Sequence, residues 1–444
     1  MSRIIASARR LQRRIRAGFS PRLHAAIARA VLADPPEARA GSGAGSARQV
    51  VIAPPGGGNI GDAALVGAYL EHVEGDVVVV TRRADDFDLS SYGERVQVLP
   101  MPMLLYGGTL QFARGLRRLR AHVARGTTVA VLGADIMDGA YHAAASANRA
   151  LIAAGAAEAG LDSRIVGFSW NTAPHPKARW AMRRAAEAGV LLTPRDPVSA
   201  GRLGGDVAGS RGASDSVGHS SAGGSPDRGG VVLAADLVFT ARSLAPLPDD
   251  LARALDGAER IALVNVSGLI AAHVPAGANA AVVHDLLETC DRVVIVPHVS
   301  RPGADDLPHC RDLADRFAGD ERVVLVDRLL APPQVRELAA RAHIVITGRM
   351  HLAVMSLMAG VPAVTIASQG KVEGLMALFD LPALCVEPGA ALAAELPSRL
   401  AKVLADRDEI AARIAERLPA VRSLAERSFT ATPVFHQGEH LVST

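Results

Sequence analysis

From Gln49 onward, short runs of apolar residues alternate with longer stretches in which apolar residues recur every three or four positions. Val50–Ala53, Val77–Thr81, Val96–Leu99, Val129–Leu132, Ile165–Phe168 and Val231–Ala234 are almost wholly apolar and rich in β-branched residues. A strand covered on both faces needs that composition, because both alternating sets of side chains are buried. The stretches between them, such as Ala63–His72 and Leu110–Arg125, have helical spacing. This alternation predicts a doubly wound α/β unit over 49–245. A second series follows the turn at Pro246–Asp250. Its strands are expected at Ile261–Val266, Val293–Pro297, Val323–Val326, Ile344–Thr347 and Ala363–Ile366, with helices at Val282–Thr289, Gln334–Ala342 and Met350–Ala359. It predicts a second α/β unit over 246–389, with 390–444 forming helices and a tail that pack back over the boundary. The expected fold class is α/β, two Rossmann-like doubly wound domains facing a cleft.

Two segments break the pattern. Residues 1–48 carry ten arginines against Asp34 and Glu37, about +8. Within them, Arg3–Arg16 interleaves arginines with Ile4, Ile5, Leu11 and Ile15 and reads as a short basic helix suited to an anionic membrane surface. Pro, Gly and Ser dominate 34–48, so the whole of 1–48 is expected to be a flexible basic leader and linker. Residues 204–230 are rich in Gly and Ser with almost no large apolar side chain, the composition of a disordered surface insertion.

Charge and composition narrow the function. The formal balance of +3 over 444 residues averages a leader of about +8 with a body of about −5. A mildly acidic body with 3% aromatic residues argues against nucleic acid as a partner. Cys290, Cys310 and Cys385 are too far apart for a disulfide framework or a Cys-based metal site. No apolar run approaches the roughly 18 residues of a membrane span. We therefore expect a cytoplasmic protein, at the inner face of the membrane if residues 1–48 make a peripheral contact there.

Four motifs carry candidate chemistry. Pro55-Gly-Gly-Gly-Asn-Ile-Gly-Asp62 follows a strand and opens a helix, so Gly57, Gly58 and Asn59 are candidate ligand contacts at a helix N-terminus. Gly56, Gly58 and Gly61 match the dinucleotide spacing, but the Asp62 carboxylate would repel a pyrophosphate, and Thr81-Arg-Arg83 lacks the acid that holds a ribose, although its arginines suit the 2′-phosphate of NADP. Asp62 suits a hydroxyl-rich ligand, or a helix cap. In Val131-Leu-Gly-Ala-Asp-Ile-Met-Asp-Gly139, Asp135 and Asp138 follow a strand end and can orient sugar hydroxyls or act as a base. In Thr193-Pro-Arg-Asp-Pro-Val-Ser199, the planar fork of Arg195 suits a carboxylate or phosphate, or pairs with Asp196. In Ile344-Val-Ile-Thr-Gly-Arg-Met-His351, Arg349 and His351 stand at the entrance of an apolar helix, where the dipole favours an anion. Lys371 follows the next strand. His298 lies at another strand end, which Asp305 or Asp306 would share. No histidine spacing points to a metal.

These motifs, in this order, resemble the polysaccharide pyruvyl transferase family. The resemblance rests on Gly56-Gly-Gly-Asn-Ile-Gly-Asp62, Gly133-Ala-Asp135, Arg195-Asp196…Ser199 and, above all, Gly348-Arg-Met-His351…Ala359-Gly-Val-Pro362…Lys371-Val-Glu-Gly-Leu375, and runs from about Gln49 to Leu381. The family implies a two-domain GT-B-like fold. It also implies transfer of pyruvate from phosphoenolpyruvate, as co-substrate and with no further cofactor, to a glycan or lipid-linked oligosaccharide as a cyclic ketal. By motif, the family's donor-binding arginine and histidine fall on Arg349 and His351, and the arginine of its Arg-Asp motif on Arg195. Lys371 supplies a third cation, and Asp62 or Asp135 a catalytic carboxylate on the acceptor side. The basic leader, the Gly/Ser insertion and Ala134-Asp-Ile-Met-Asp138 depart from the family pattern. Two other functions fit a fold of this kind: a nucleotide-sugar-dependent glycosyltransferase, and a non-catalytic glycan-binding protein.

Overall fold

The computed structural model describes residues 20–37, 48–208, 230–367 and 371–431. The stretch Arg3–Arg16, much of the 34–48 linker and most of the Gly/Ser insertion lie outside them.

Two parallel six-stranded sheets form the frame. The first contains β1 (Gln49–Ile52), β2 (Val77–Thr81), β3 (Val96–Pro100), β4 (Thr128–Ala134), β5 (Asp162–Phe168) and β6 (Leu191–Pro194), in the order β3-β2-β1-β4-β5-β6. The second contains β7 (Ile261–Asn265), β8 (Arg292–Ile295), β9 (Val323–Leu325), β10 (Ala342–Thr347), β11 (Ala363–Ile366) and β12 (Cys385–Val386), in the order β12-β11-β10-β7-β8-β9. In β1, Val50 and Ile52 enter one apolar core and Val51 the other, as a strand covered on both faces requires. Each sheet reverses its strand order once, between β1 and β4 and between β7 and β10. Crevices open at the carboxyl ends of the strands at those points.

The sixth strand of the first sheet is Leu191–Pro194, not Val231–Ala234. Val231 makes only a single bridge to Leu192. The true strand is short and ends in Pro194, where a missing N–H costs nothing. The leader also differs from expectation. Pro21–Leu32 is a helix, with Pro at its start and Ser20 as its cap. His24, Ala28 and Leu32 form a buried stripe at four-residue intervals. His24 bonds to Asn148 Oδ1 at 2.8 Å and Thr109 Oγ1 at 3.0 Å, and stacks on Phe112. That stripe was present in the sequence but hidden by the surrounding arginines. Residues 204–208, at the start of the expected insertion, complete the helix Pro197–Ala208.

One apolar cluster runs from Val51 and Leu132 of the first sheet through Leu65 and Tyr69 into Leu263 and Ile346 of the second. The last helix, Arg407–Thr430, ends on the first sheet. Arg164 donates to the carbonyls of Ser428 at 3.1 Å and Phe429 at 2.7 Å. Phe429 stacks on His72 with ring centroids 3.7 Å apart. Among the described residues no helix is long and apolar enough to cross a membrane.

Ala134, the last residue of β4, has φ +47°. A side chain in that left-handed region costs about 1–2 kcal/mol, and the strain lies directly beside Asp135. Replacing Ala134 with glycine is expected to raise stability by up to about 1 kcal/mol, net of glycine's greater unfolded-state freedom. Denaturant unfolding measures it, and a clear loss of stability would show that the strain is absent.

Candidate active site

The carboxyl ends of the two sheets enclose a cleft of about 210 Å³. Asn59, Asp62, Asp135 and Arg195 line it from the first half. His298, Arg301, Arg349, His351 and Lys371 line it from the second.

The Gly-rich loop is largely spent on its own fold and on docking the halves. Asn59 caps the helix Ile60–His72 through a 3.0 Å bond from Gly61 N–H, and Asp62 Oδ2 accepts the N–H of Gly56 at 3.1 Å. Gly57 N–H donates to the Asp86 carbonyl and Ile60 N–H to the His298 carbonyl, while the Gly58 carbonyl accepts from Ser300 N–H at 2.7 Å. Gly57 and Gly58 therefore border neighbouring grooves rather than the cleft, and the expected cradle of free amides is not formed by them. Gly61 matters for another reason. A Cβ there would lie 2.2 Å from His351 Nδ1, so only glycine lets that ring enter.

The two aspartates after β4 separate. Asp135 faces the cleft and holds Lys371 Nζ at 2.6 Å. Burial would raise its pKa, but Lys371 and Arg195 outweigh that and hold it well below the usual carboxylate range. Asp138 leaves the cleft because the chain turns after Asp135. Its Oδ1 accepts Ala140 N–H at 2.9 Å, and its other oxygen pairs with Asn171. It is a turn residue, not the substrate contact expected. Asp62 behaves oppositely to Asp135. Burial, reinforced by the Asp135 charge, raises its pKa, and Arg301 and His351 offset only part of the rise.

Arg195 reaches the cleft wall but is committed. Its Nε donates to Ser169 Oγ at 2.9 Å and its Nη1 to Asp236 at 3.0 Å, with His351 Nε2 at 3.4 Å. Asp196 is not its partner. Asp196 caps the helix Pro197–Ala208 through Ser199 N–H and Ser199 Oγ, both at 2.7 Å. The partner is Asp236, fully buried, which also stands 3.3 Å from His351 Nε2. Burial would raise the Asp236 carboxyl, but His351 and Arg195 hold it down to about 2. Sequence reasoning missed Asp236, although it follows an apolar run just as Asp135 does.

In the second half, Arg349 precedes the helix Met350–Met358, and its N–H donates to Thr347 Oγ1 at 2.9 Å. Its guanidinium grips Asp306 through Nε and Nη2, the latter at 2.6 Å, and Nη2 also reaches the Ala304 carbonyl at 2.6 Å. Asp306 is fully buried and further accepts from Asn265, Gly268, His298 and Val299. It is a structural hub for the strand ends, while Asp305 caps Leu307 N–H. His298 is only 2% exposed, and neither ring nitrogen has a partner among the described residues. Burial, with His351 and Arg349 nearby, pushes its pKa far down, so the ring is neutral. An unpaired buried polar group is costly, and this one lines the cleft. Arg301, not expected as a site residue, approaches Asp62 at 3.8 Å. No group of three or more His, Cys, Asp or Glu among the described residues is placed to hold a metal ion.

Residues 221–370 match the polysaccharide pyruvyl transferase family, which places the chain among the transferases. The matched stretch contains Asp236, His298, Arg301, Arg349 and His351, and stops short of Lys371. No curated protein matches the chain. Among solved structures, a UDP-N-acetylglucosamine 2-epimerase superposes with a TM-score of 0.55 at 12% identity, covering 86% of this chain and 94% of that one. The UDP-GlcNAc 2-epimerase of Neisseria meningitidis, bound to UDP-GlcNAc, gives 0.53 at 12% identity, over 85% and 97%. At such identities the likeness is one of fold, the expected pair of Rossmann-like domains of GT-B type.

Two opposite stability effects are expected. Asp236→Asn strands the Arg195 charge and should cost roughly 3–5 kcal/mol at neutral pH. Because the folded Asp236 carboxyl is depressed from 3.8 to about 2, its contribution is full above the unfolded value and lost as pH falls through 2. The gap between wild type and Asp236→Asn should therefore close in that window, as followed by chemical unfolding against pH. Asp62 has a raised folded pKa, so its ionised form is disfavoured in the fold. Asp62→Asn keeps an acceptor for Gly56 and should raise the unfolding midpoint at neutral pH. A fall in that midpoint would mark Asp62 as a structural cap.

Proposed function

We propose that the protein transfers pyruvate from phosphoenolpyruvate to a pair of glycan hydroxyls, forming a cyclic ketal and releasing phosphate. The observation that carries this reading is the cleft itself, where Arg301, Arg349, His351 and Lys371 of one half face Asp62 and Asp135 of the other. Phosphoenolpyruvate sets a carboxylate and a phosphate on one small carbon frame and needs several cations close together. A sugar acceptor needs a carboxylate.

The reaction begins when the methylene carbon takes a proton and C2 becomes electron-poor. An acceptor hydroxyl attacks C2 and gives up its proton. The bond from C2 to the phosphate oxygen breaks, phosphate leaves with the electron pair, and the second hydroxyl closes the ring as its own proton departs. Lys371, Arg301 and the helix start at His351 bind the anionic groups. The neutral His298 ring donates one further hydrogen bond. His351 serves as acid or phosphate ligand, its ring set by Asp236 and Arg195 through Nε2. Between the two candidate bases, Asp62 is favoured, since a raised pKa makes a better base near neutrality, whereas Asp135 is tied down by Lys371. Asp135, once Lys371 turns to the donor, is free to hold a sugar hydroxyl. The scheme calls on no metal or resident cofactor. The three cysteines are free thiols, which suits a reducing, cytoplasmic setting.

Incubating the protein with phosphoenolpyruvate or UDP-, GDP- and CMP-sugars and a panel of glycosides tests the proposal through mass gain on the acceptor. A small anionic increment with phosphate release is expected; gain of a whole sugar would refute it. His351→Gln and Lys371→Met should each slow phosphate release by about 10²–10³. Near-normal rates in the folded variants would remove these residues from the site.

A further inference from the structure

Four of the five exposed large hydrophobic side chains among the described residues lie at one end of the first half. They are Leu23 (49% exposed), Met103 (52%), Leu110 (58%) and Tyr141 (48%). Each neighbours a residue of a single contact cluster. His24 bonds to Thr109 and Asn148, Asn148 Nδ2 donates to the carbonyls of Leu104 and Leu105, and the Tyr106 ring meets His142 edge-on at 5.5 Å. Tyr141 also lines the cleft, so the apolar group reaches the cleft through that residue.

The stretch of chain that carries Met103 and Leu110 has one sign of charge. From Val96 to Ala134 the chain contains five arginines and no acidic residue. On the helix Thr109–Arg120, Leu110, Arg114, Arg117 and Arg118 follow one another at i, i+4, i+7 and i+8 and are all exposed. They form a stripe with an apolar tip and a basic flank. The helix Pro21–Leu32 also lacks acidic residues, and the chain preceding Ser20 contributes six more arginines and no acid. That chain enters the fold at this same end.

We infer that this face is a docking surface for an anionic lipid membrane, with Met103 and Leu110 dipping into the headgroup boundary and Arg114, Arg117 and Arg118 paired with lipid phosphates. Docking there would set the cleft mouth against the membrane, where a lipid-linked glycan presents its sugar. The surface is independent of which donor the cleft uses, so its test stands apart from the pyruvyl-transfer proposal.

The full chain should cosediment with vesicles of phosphatidylglycerol and phosphatidylcholine, and far less with phosphatidylcholine alone. Replacing Arg114, Arg117 and Arg118 together with glutamine should weaken partitioning on the order of a hundredfold. Met103→Ser with Leu110→Ser should weaken it on the order of tenfold. Leu110→Trp gives a readout that removes no charge, since its fluorescence should shift to the blue on anionic vesicles only. The inference is overturned if wild type shows no preference for anionic vesicles, or if Leu110→Trp stays in water while the protein is bound. It is equally overturned if the glutamine variant partitions like wild type and removal of residues 1–19 alone abolishes binding.

Discussion

Charge of opposite sign faces itself across the cleft, and the rest of the site depends on that arrangement. The first half supplies Asp62 and Asp135, and the segment leaving its sheet supplies Asp236. The second supplies Arg301, Lys371 and His351 as their counterparts. With the cations already paired, a neutral ligand gains nothing by entering among them. A small, multiply charged anion can exchange places with the carboxylates. The pair beneath, Arg195 with Asp236, is buried and partnered on both sides. It fixes His351 from below, while from above the ring fits because position 61 carries no side chain. Electrostatic preorganisation of this kind works because the donors are in place before the substrate arrives.

The frame was legible in the sequence because parallel strands buried on both faces must be written as apolar runs, and most of those runs became strands. Ligand-facing residues at strand ends were legible for the same topological reason. Asp62, Asp135, Arg195, His298, Arg349, His351 and Lys371 all reach one cleft. What the sequence did not disclose was partnership. Arg195 reads as an anion contact or a partner of Asp196, and Arg349 as an anion contact, yet they bind Asp236 and Asp306, residues distant in the chain. The Gly-rich loop read as a ligand cradle because glycine permits close approach, but sequence is silent on what approaches. Here it is the Ser300 backbone and the His351 ring. Asp138 looked like Asp135 because spacing alone does not show where a turn begins.

Net charge was the least informative summary of this chain and its distribution among the most informative. A balance of +3 conceals an acid-free stretch from Val96 to Ala134 and a cleft in which cations are paired with carboxylates. Tyr141 belongs to the apolar group and to the cleft wall alike.

Calorimetric titration of the wild-type protein with phosphoenolpyruvate, alongside UDP and UDP-N-acetylglucosamine, bears most directly on the site. Saturable binding of phosphoenolpyruvate, weakened by added salt and lost in Lys371→Met, is the expected result. Binding of the uridine nucleotides with no heat from phosphoenolpyruvate would contradict it.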